Sequence, residues 1–183
     1  MNAVNFYSDP QTHAFNTPFQ LSTVPPKILA QIKNFGGKAP FCDMPDDASQ
    51  SSHTLKHGDV LVFGTDGVWD NLTSQEVLDV VSGTMIQNGA WTAPNGQGVQ
   101  ISKALPYLTA ERAANESEGH TMPLQTRLAA DITKKAKDAS VNTKRDGPFA
   151  KAVQQAYPQE RWHGGKVDDI CVVVVIPVER SQT

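Results

Sequence analysis

Two short, almost unbroken apolar runs stand out along the chain. Val60 to Thr65 is entered by Gly58-Asp59 and left by Asp66-Gly67, and Ile170 to Ile176 follows Asp168-Asp169. The first run is continuous enough to predict a strand covered on both faces, and the β-branched density of the second argues for a buried strand over a helix. Between them the apolar spacing lengthens to three or four. Val77, Leu78, Val80 and Val81 follow Thr73 and Glu76, which have capping-box spacing, and predict a helix over about 74–84. Leu124, Leu128 and Ile132 recur every four residues behind Pro123, predicting a second helix over about 123–141. Phe149, Val153 and Ala156 predict a shorter one over about 149–157.

Residues 1 to about 54 lack a sustained period. Phe19 to Ser22 alternates, among turn signals at Pro25-Pro26, Gly36-Gly37 and Asp43 to Ser52, so this stretch reads as loops with one or two short elements. From about 87 to 122 glycine, proline and asparagine return, marking a loop-rich insertion with a short helix around Leu105 to Ala114. At 183 residues the chain fits one domain spanning 1–183, able to bury roughly 70% of its unfolded surface.

Composition narrows the function classes. The net charge of −3 comes without a lysine and arginine block, so there is no electrostatic footprint for nucleic acid or an anionic membrane. Lys134, Lys135 and Lys137 read as a solvated helix face. Cys42 and Cys171 are the only cysteines and form neither a CxxC pair nor a Cys/His cluster, which argues against zinc and a disulfide framework and for a reduced, intracellular setting. The longest apolar run, Cys171 to Val178, falls far short of the ~20 residues of a membrane-spanning helix. The first nine residues show no targeting pattern, so the acceptor triplets Asn71-Leu72-Thr73 and Asn115-Glu116-Ser117 carry little weight. The five histidines, His13, His53, His57, His120 and His163, fall in predicted loops without partners at ligand spacing and read as surface residues before catalytic bases, His13 alone having a further claim through the motif around it.

Candidate chemistry lies at the ends of the apolar runs. Asp66 closes the first, before Gly67, and Asp168 stands just ahead of the second. Carboxylates on rigid strand ends suit hard cations such as Mg²⁺ or Mn²⁺. A plainer reading makes Asp66-Gly67 a turn and has Asp168 and Asp169 satisfy loop amides. Spacing alone leaves both readings open.

The motif Thr65-Asp66-Gly67-Val68-Trp69-Asp70, behind Gly58-Asp59-Val60-Leu61-Val62, resembles a signature of PP2C-type protein phosphatases. Gly164-Gly165-Lys166-Val167-Asp168-Asp169-Ile170-Cys171-Val172-Val173 is similar to that family's closing strand, with Cys171 where Thr or Ser is usual. Gln11 to Leu21 resembles a segment of the PTC7-like branch, which in fungi and animals is associated with mitochondria. The resemblance implies an α+β fold, part of an α-β-β-α sandwich of antiparallel sheets flanked by helices. It makes Asp66 and Asp168 metal ligands, with Gly67 letting the backbone bend close to the site. Asp70 would cap or orient the following loop, and Asp169 would support from behind the ligands. The implied cofactor is a pair of Mg²⁺ or Mn²⁺ ions roughly 3.5–4 Å apart, activating a water against a phosphoserine or phosphothreonine of a phosphoprotein substrate.

One departure matters. The family's N-terminal half supplies an arginine with an acidic pair and a glycine-rich metal loop, and no segment here resembles them. The expectation is therefore a partial phosphatase domain over 1–183 missing N-terminal strands, whose open sheet invites self-association. The alternative is a non-catalytic fragment or pseudophosphatase acting as an interaction module. The absence of a GxxxxGK[ST] loop argues against a nucleotide-binding ATPase. A calcium loop is excluded because Asp66 to Asp70 lacks the alternating ligands it requires.

Overall fold

The computed structural model describes residues 3–36, 42–92, 98–111 and 122–179. The chain divides into two compact units, Ser8–His53 and a larger one of Met1–Tyr7 with Thr54–Thr183.

The smaller unit opens with a hairpin of β1 (Thr12–Ala14) and β2 (Thr17–Pro18). Its turn places Asn16 at φ 52°, a left-handed conformation that asparagine tolerates better than most residues. Helix α1 (Pro26–Asn34) follows. It lies within the stretch read as loops, because Pro25-Pro26 gives a turn signal in the sequence, yet proline's fixed φ equally suits the first helical position. Asp43 ties the unit together, accepting the Gln20 N–H at 2.6 Å and lying 2.9 Å from His13 Nε2. The Gln20 hydrogen bond above all holds the Asp43 carboxyl below its ordinary range. His13 thus stands on a strand with an acidic partner.

The larger unit runs β3 (Leu61–Gly64), α2 (Asp66–Trp69), α3 (Ser74–Gln87), α4 (Leu105–Thr109), α5 (Leu124–Ser140), α6 (Pro148–Ala156) and β4 (Val172–Val175). Helix α3 starts as its capping box predicts: Thr73 Oγ1 accepts the Glu76 N–H at 3.2 Å, and Glu76 Oε2 accepts the Thr73 N–H at 3.0 Å. Arg145 then grips both Glu76 carboxylate oxygens, at 2.6 and 2.7 Å. Helix α4 ends earlier than the sequence predicts, with Ala110 in an extended conformation, and residues 112–121 of the insertion lie outside the described residues.

Helix α5 organises the core. Leu124, Leu128, Ile132 and Ala136 form one buried stripe at intervals of four, which on a helix is a single face. Helices α3 and α4 and strand β4 pack against α5, so Val77, Val81, Met85, Leu105 and Val174 close over that stripe. Truncating a residue such as Leu128 there costs about 2–5 kcal/mol.

Strands β3 and β4 pair antiparallel, with Val62 opposite Val174 and Phe63 opposite Val173. Val174 is buried, whereas Phe63 is 56% and Val173 53% exposed. The expectation of a strand covered on both faces therefore fails among the described residues. Helix α5 covers one side of the sheet, and the alternate side chains face away from it.

The return from α6 to β4 crosses the C-terminal end of α5. Gly165 permits this, since a Cβ there would drive into the carbonyl oxygens of Ala139 and Ser140. Asp146 pins the same return, accepting from Gln154 Nε2 at 3.0 Å and the Gly164 N–H at 2.8 Å, with His163 Nδ1 at 3.0 Å. These hydrogen bonds, Gln154's first, lower its pKa from 3.8 to about 2. A carboxyl depressed on folding adds stability above its unfolded pKa, and that stability is lost as pH falls through the folded value. Thermal unfolding of the native chain and Asp146→Asn should therefore show the native chain's advantage at pH 6 shrinking steadily below about pH 4. A gap that does not change with pH would overturn this account.

Candidate functional site

The antiparallel ladder decides where the candidate aspartates go. Beyond Gly64 and Val172 it continues through Thr65, whose N–H donates to Cys171 O at 3.1 Å. The Thr65 hydroxyl accepts the Cys171 N–H at 3.1 Å and donates to Asp169 O at 2.9 Å. One strand ends where its partner begins, so Asp66, leaving β3, and Asp168, approaching β4, emerge at the same end of the sheet. Helix α2 then makes a single turn, and Asp70, four residues after Asp66, falls on the same side of it.

One carboxylate oxygen of each of Asp66, Asp70 and Asp168 lies within 4.8 Å of the other two. No other such group of three acidic, histidine or cysteine side chains occurs among the described residues. The outer oxygens of two of them are used locally: Asp66 Oδ1 accepts the Gly67 N–H at 3.0 Å, and Asp168 Oδ1 accepts the Asp169 N–H at 2.8 Å. The plainer sequence reading, in which these aspartates satisfy loop amides, accounts for one oxygen of each residue, and the second oxygen of each, Oδ2, faces Lys166. Three carboxylates are an all-oxygen donor set, and that set fits a hard divalent cation.

The cluster also holds a cation of its own. Lys166 Nζ lies 2.6 Å from Asp70 Oδ2, 2.9 Å from Asp168 Oδ2 and 3.9 Å from Asp66 Oδ2. The Lys166 hydrogen bond lowers the Asp168 pKa. Asp70 meets the same ammonium yet titrates above its ordinary value, because burial penalises its charged form more than Lys166 favours it. Burial works against the charged lysine as well, but its hydrogen bonds to Asp70 and Asp168 prevail and raise its pKa.

Asn71 sets the spacing between the two halves of the cluster. It is fully buried, and its Nδ2 donates to Gly67 O at 2.9 Å and Lys166 O at 2.8 Å, while Oδ1 accepts the Lys166 N–H at 2.9 Å. Gly67 serves close approach, since a Cβ would strike the Asp169 carbonyl oxygen. Its φ is not among the left-handed ones, so packing, more than a bend, calls for glycine here. Asp169 contributes that carbonyl, and its side chain stands outside the trio. Asp70, expected to cap a loop, instead directs its carboxylate into the cluster. The sequence reading passed over Lys166 and Asn71. For Asp70 a signal existed in its four-residue spacing from Asp66.

No family model matches the chain. It is similar to "Protein phosphatase PTC7 homolog fig" of Drosophila ananassae, 30% identical over 167 residues, covering 91% of this chain and 38% of the relative. It is also similar to "Probable protein phosphatase 2C 80" of Arabidopsis thaliana, 30% identical over 169 residues, covering 92% of this chain and 28% of the relative. Over about nine tenths of its length the chain is similar to proteins named as PTC7 homologues and as a protein phosphatase 2C. The X-ray structure of the photosystem II phosphatase PBCP matches with a TM-score of 0.59 at 22% identity, over 96% of this chain and 52% of that one. This agrees with an α+β chain corresponding to part of the PP2C-type fold. The chain spans well under half the length of the curated relatives named here.

Asn71→Ala would leave the Gly67 carbonyl and both main-chain groups of Lys166 without their partner. The loss expected is about 2–3 kcal/mol, read from denaturant unfolding with an unchanged m-value. A loss below about 0.5 kcal/mol would show that Asn71 does not hold the two halves together.

Proposed function

We propose that the chain carries part of a metal-dependent protein phosphatase site, in which Asp66, Asp168 and Asp70 together hold Mg²⁺ or Mn²⁺. The observation that carries this reading is the convergence of three carboxylate oxygens within 4.8 Å at the end of the β3–β4 ladder. It occurs on the motif that aligns with proteins named as phosphatases. When bound, a divalent cation supplies positive charge that lowers the pKa of a water and offsets charge on the transferring phosphoryl group. The residues of this chain have the task of holding their oxygens in place. The ladder fixes Asp66 and Asp168, one helical turn fixes Asp70, and Asn71 fixes the distance between these two parts. The substrate class is a phosphoserine or phosphothreonine in a protein, in the mitochondrial setting expected of the PTC7-like branch.

The second reading, an interaction module without catalysis, draws on the apolar outer face of the sheet around Phe63 and Val173. Hydrolysis of p-nitrophenyl phosphate with added Mn²⁺ separates the two. The catalytic reading expects turnover that falls about a hundredfold in Asp66→Ala and in Asp168→Ala, with Asp169→Ala close to the native chain. Equal turnover in all four proteins, or none in any, would favour the interaction module.

A further inference from the structure

Lys166 is built into the acidic cluster from several directions. Its main chain is clamped by the buried Asn71 through both N–H and C=O. Its side chain is 20% exposed, and Phe149, lying edge-on to Trp162, sets its ring 4.7 Å from the ammonium. A lysine on a free loop has many rotamers, whereas this one has a fixed root and an aromatic cover. Two of its protons go to Asp70 and Asp168 in charge-assisted hydrogen bonds, and Asp66 Oδ2 at 3.9 Å is left outside hydrogen-bond range.

We propose that Lys166 is a resident competitor of the divalent cation. Its ammonium takes two of the three carboxylates, keeps them together when no ion is bound, and has to leave them for an ion to gain them. The inference rests on the reading of the trio as a metal site. It assigns a role to a residue that bonds two of the three carboxylates and lies 3.9 Å from the third without being a ligand itself. The Oδ2 of Asp66, outside hydrogen-bond range of Lys166 and on the most exposed side chain of the three, is then where an arriving ion makes its first contact.

The test measures Mn²⁺ binding to the 183-residue chain by calorimetry, comparing the native protein with Lys166→Met and Lys134→Met. The second variant makes the same charge change at an exposed helix position paired with Asp138. Lys166→Met is expected to bind Mn²⁺ on the order of tenfold tighter and Lys134→Met within about twofold of native. Without metal Lys166→Met should unfold at a lower temperature, with a larger gain on saturation by Mn²⁺. Should Lys166→Met fail to fold, acylation of Lys166 in the native chain, followed by mass spectrometry, decides the matter. Labelling is expected to rise severalfold with saturating Mg²⁺, and unchanged labelling overturns the proposal. If the native chain binds Mn²⁺ and Lys166→Met binds it no tighter than Lys134→Met, the competition falls while the metal site stands. If none of the three binds Mn²⁺, both fall.

Discussion

The antiparallel pairing of Leu61–Gly64 with Val172–Val175 is the constraint on which the site depends. Residues 66 and 168 are about a hundred positions apart, and nothing local brings them together. In an antiparallel ladder the exit of one strand faces the entry of the next. The Thr65 hydroxyl extends the pairing past the last strand residues to Cys171 and Asp169. The two aspartates follow directly from there, so their approach is a consequence of strand register. A one-residue slip would turn every side chain of β3 over and carry Val62 away from the core, which is why apolar packing and carboxylate placement are specified by the same pattern.

A polar arrangement of this kind is expensive to bury, and the structure spreads the cost. The fully buried Asn71 uses two donor interactions and one acceptor interaction, all with main-chain groups. An amide that bridges two backbone segments is satisfied at the geometry it imposes and unsatisfied at others. Its own carbonyl receives Arg145, which also holds Glu76 at the cap of α3. The cap of a core helix, the buried amide and the acidic cluster are thus linked through consecutive hydrogen bonds. Lys166 completes the series by meeting negative charge that the fold has gathered at one end of a small sheet.

Much of this was legible in the sequence, and the limits have physical causes. The strands, the Thr73–Glu76 cap and the four-residue stripe of α5 each follow from local period or local hydrogen bonding, and these appear where the pattern puts them. The convergence of Asp66 and Asp168 was legible only as a resemblance, because strand partners are not encoded locally. The resemblance has Asp70 cap or orient the following loop, because its place in the cluster depends on the single turn of α2, which the sequence does not announce. Asn71 appears in the sequence only within an acceptor triplet of little weight, which its complete burial agrees with, and nothing local announces its bridging role. Lys166 looks like any loop lysine until the return across α5 carries it to the far end of β3. Helix α1 was hidden by the double proline that begins it.

The weakest part of the arrangement is the sheet itself. Two strands form the smallest ladder that can hold the aspartates, and such a pair is marginal in water unless one face is packed. Here α5 packs on β4 and buries Val174, which fixes the inner face, while Phe63 and Val173 stand in solvent on the other. The stiffness of the site is therefore inherited from α5, through one valine of β4 and its partner Val62, and only then passed to the carboxylates. Packing on the outer face would restrain the same ladder from the second side, so the apolar surface at Phe63 and Val173 and the acidic cluster at the strand ends belong to one mechanical unit.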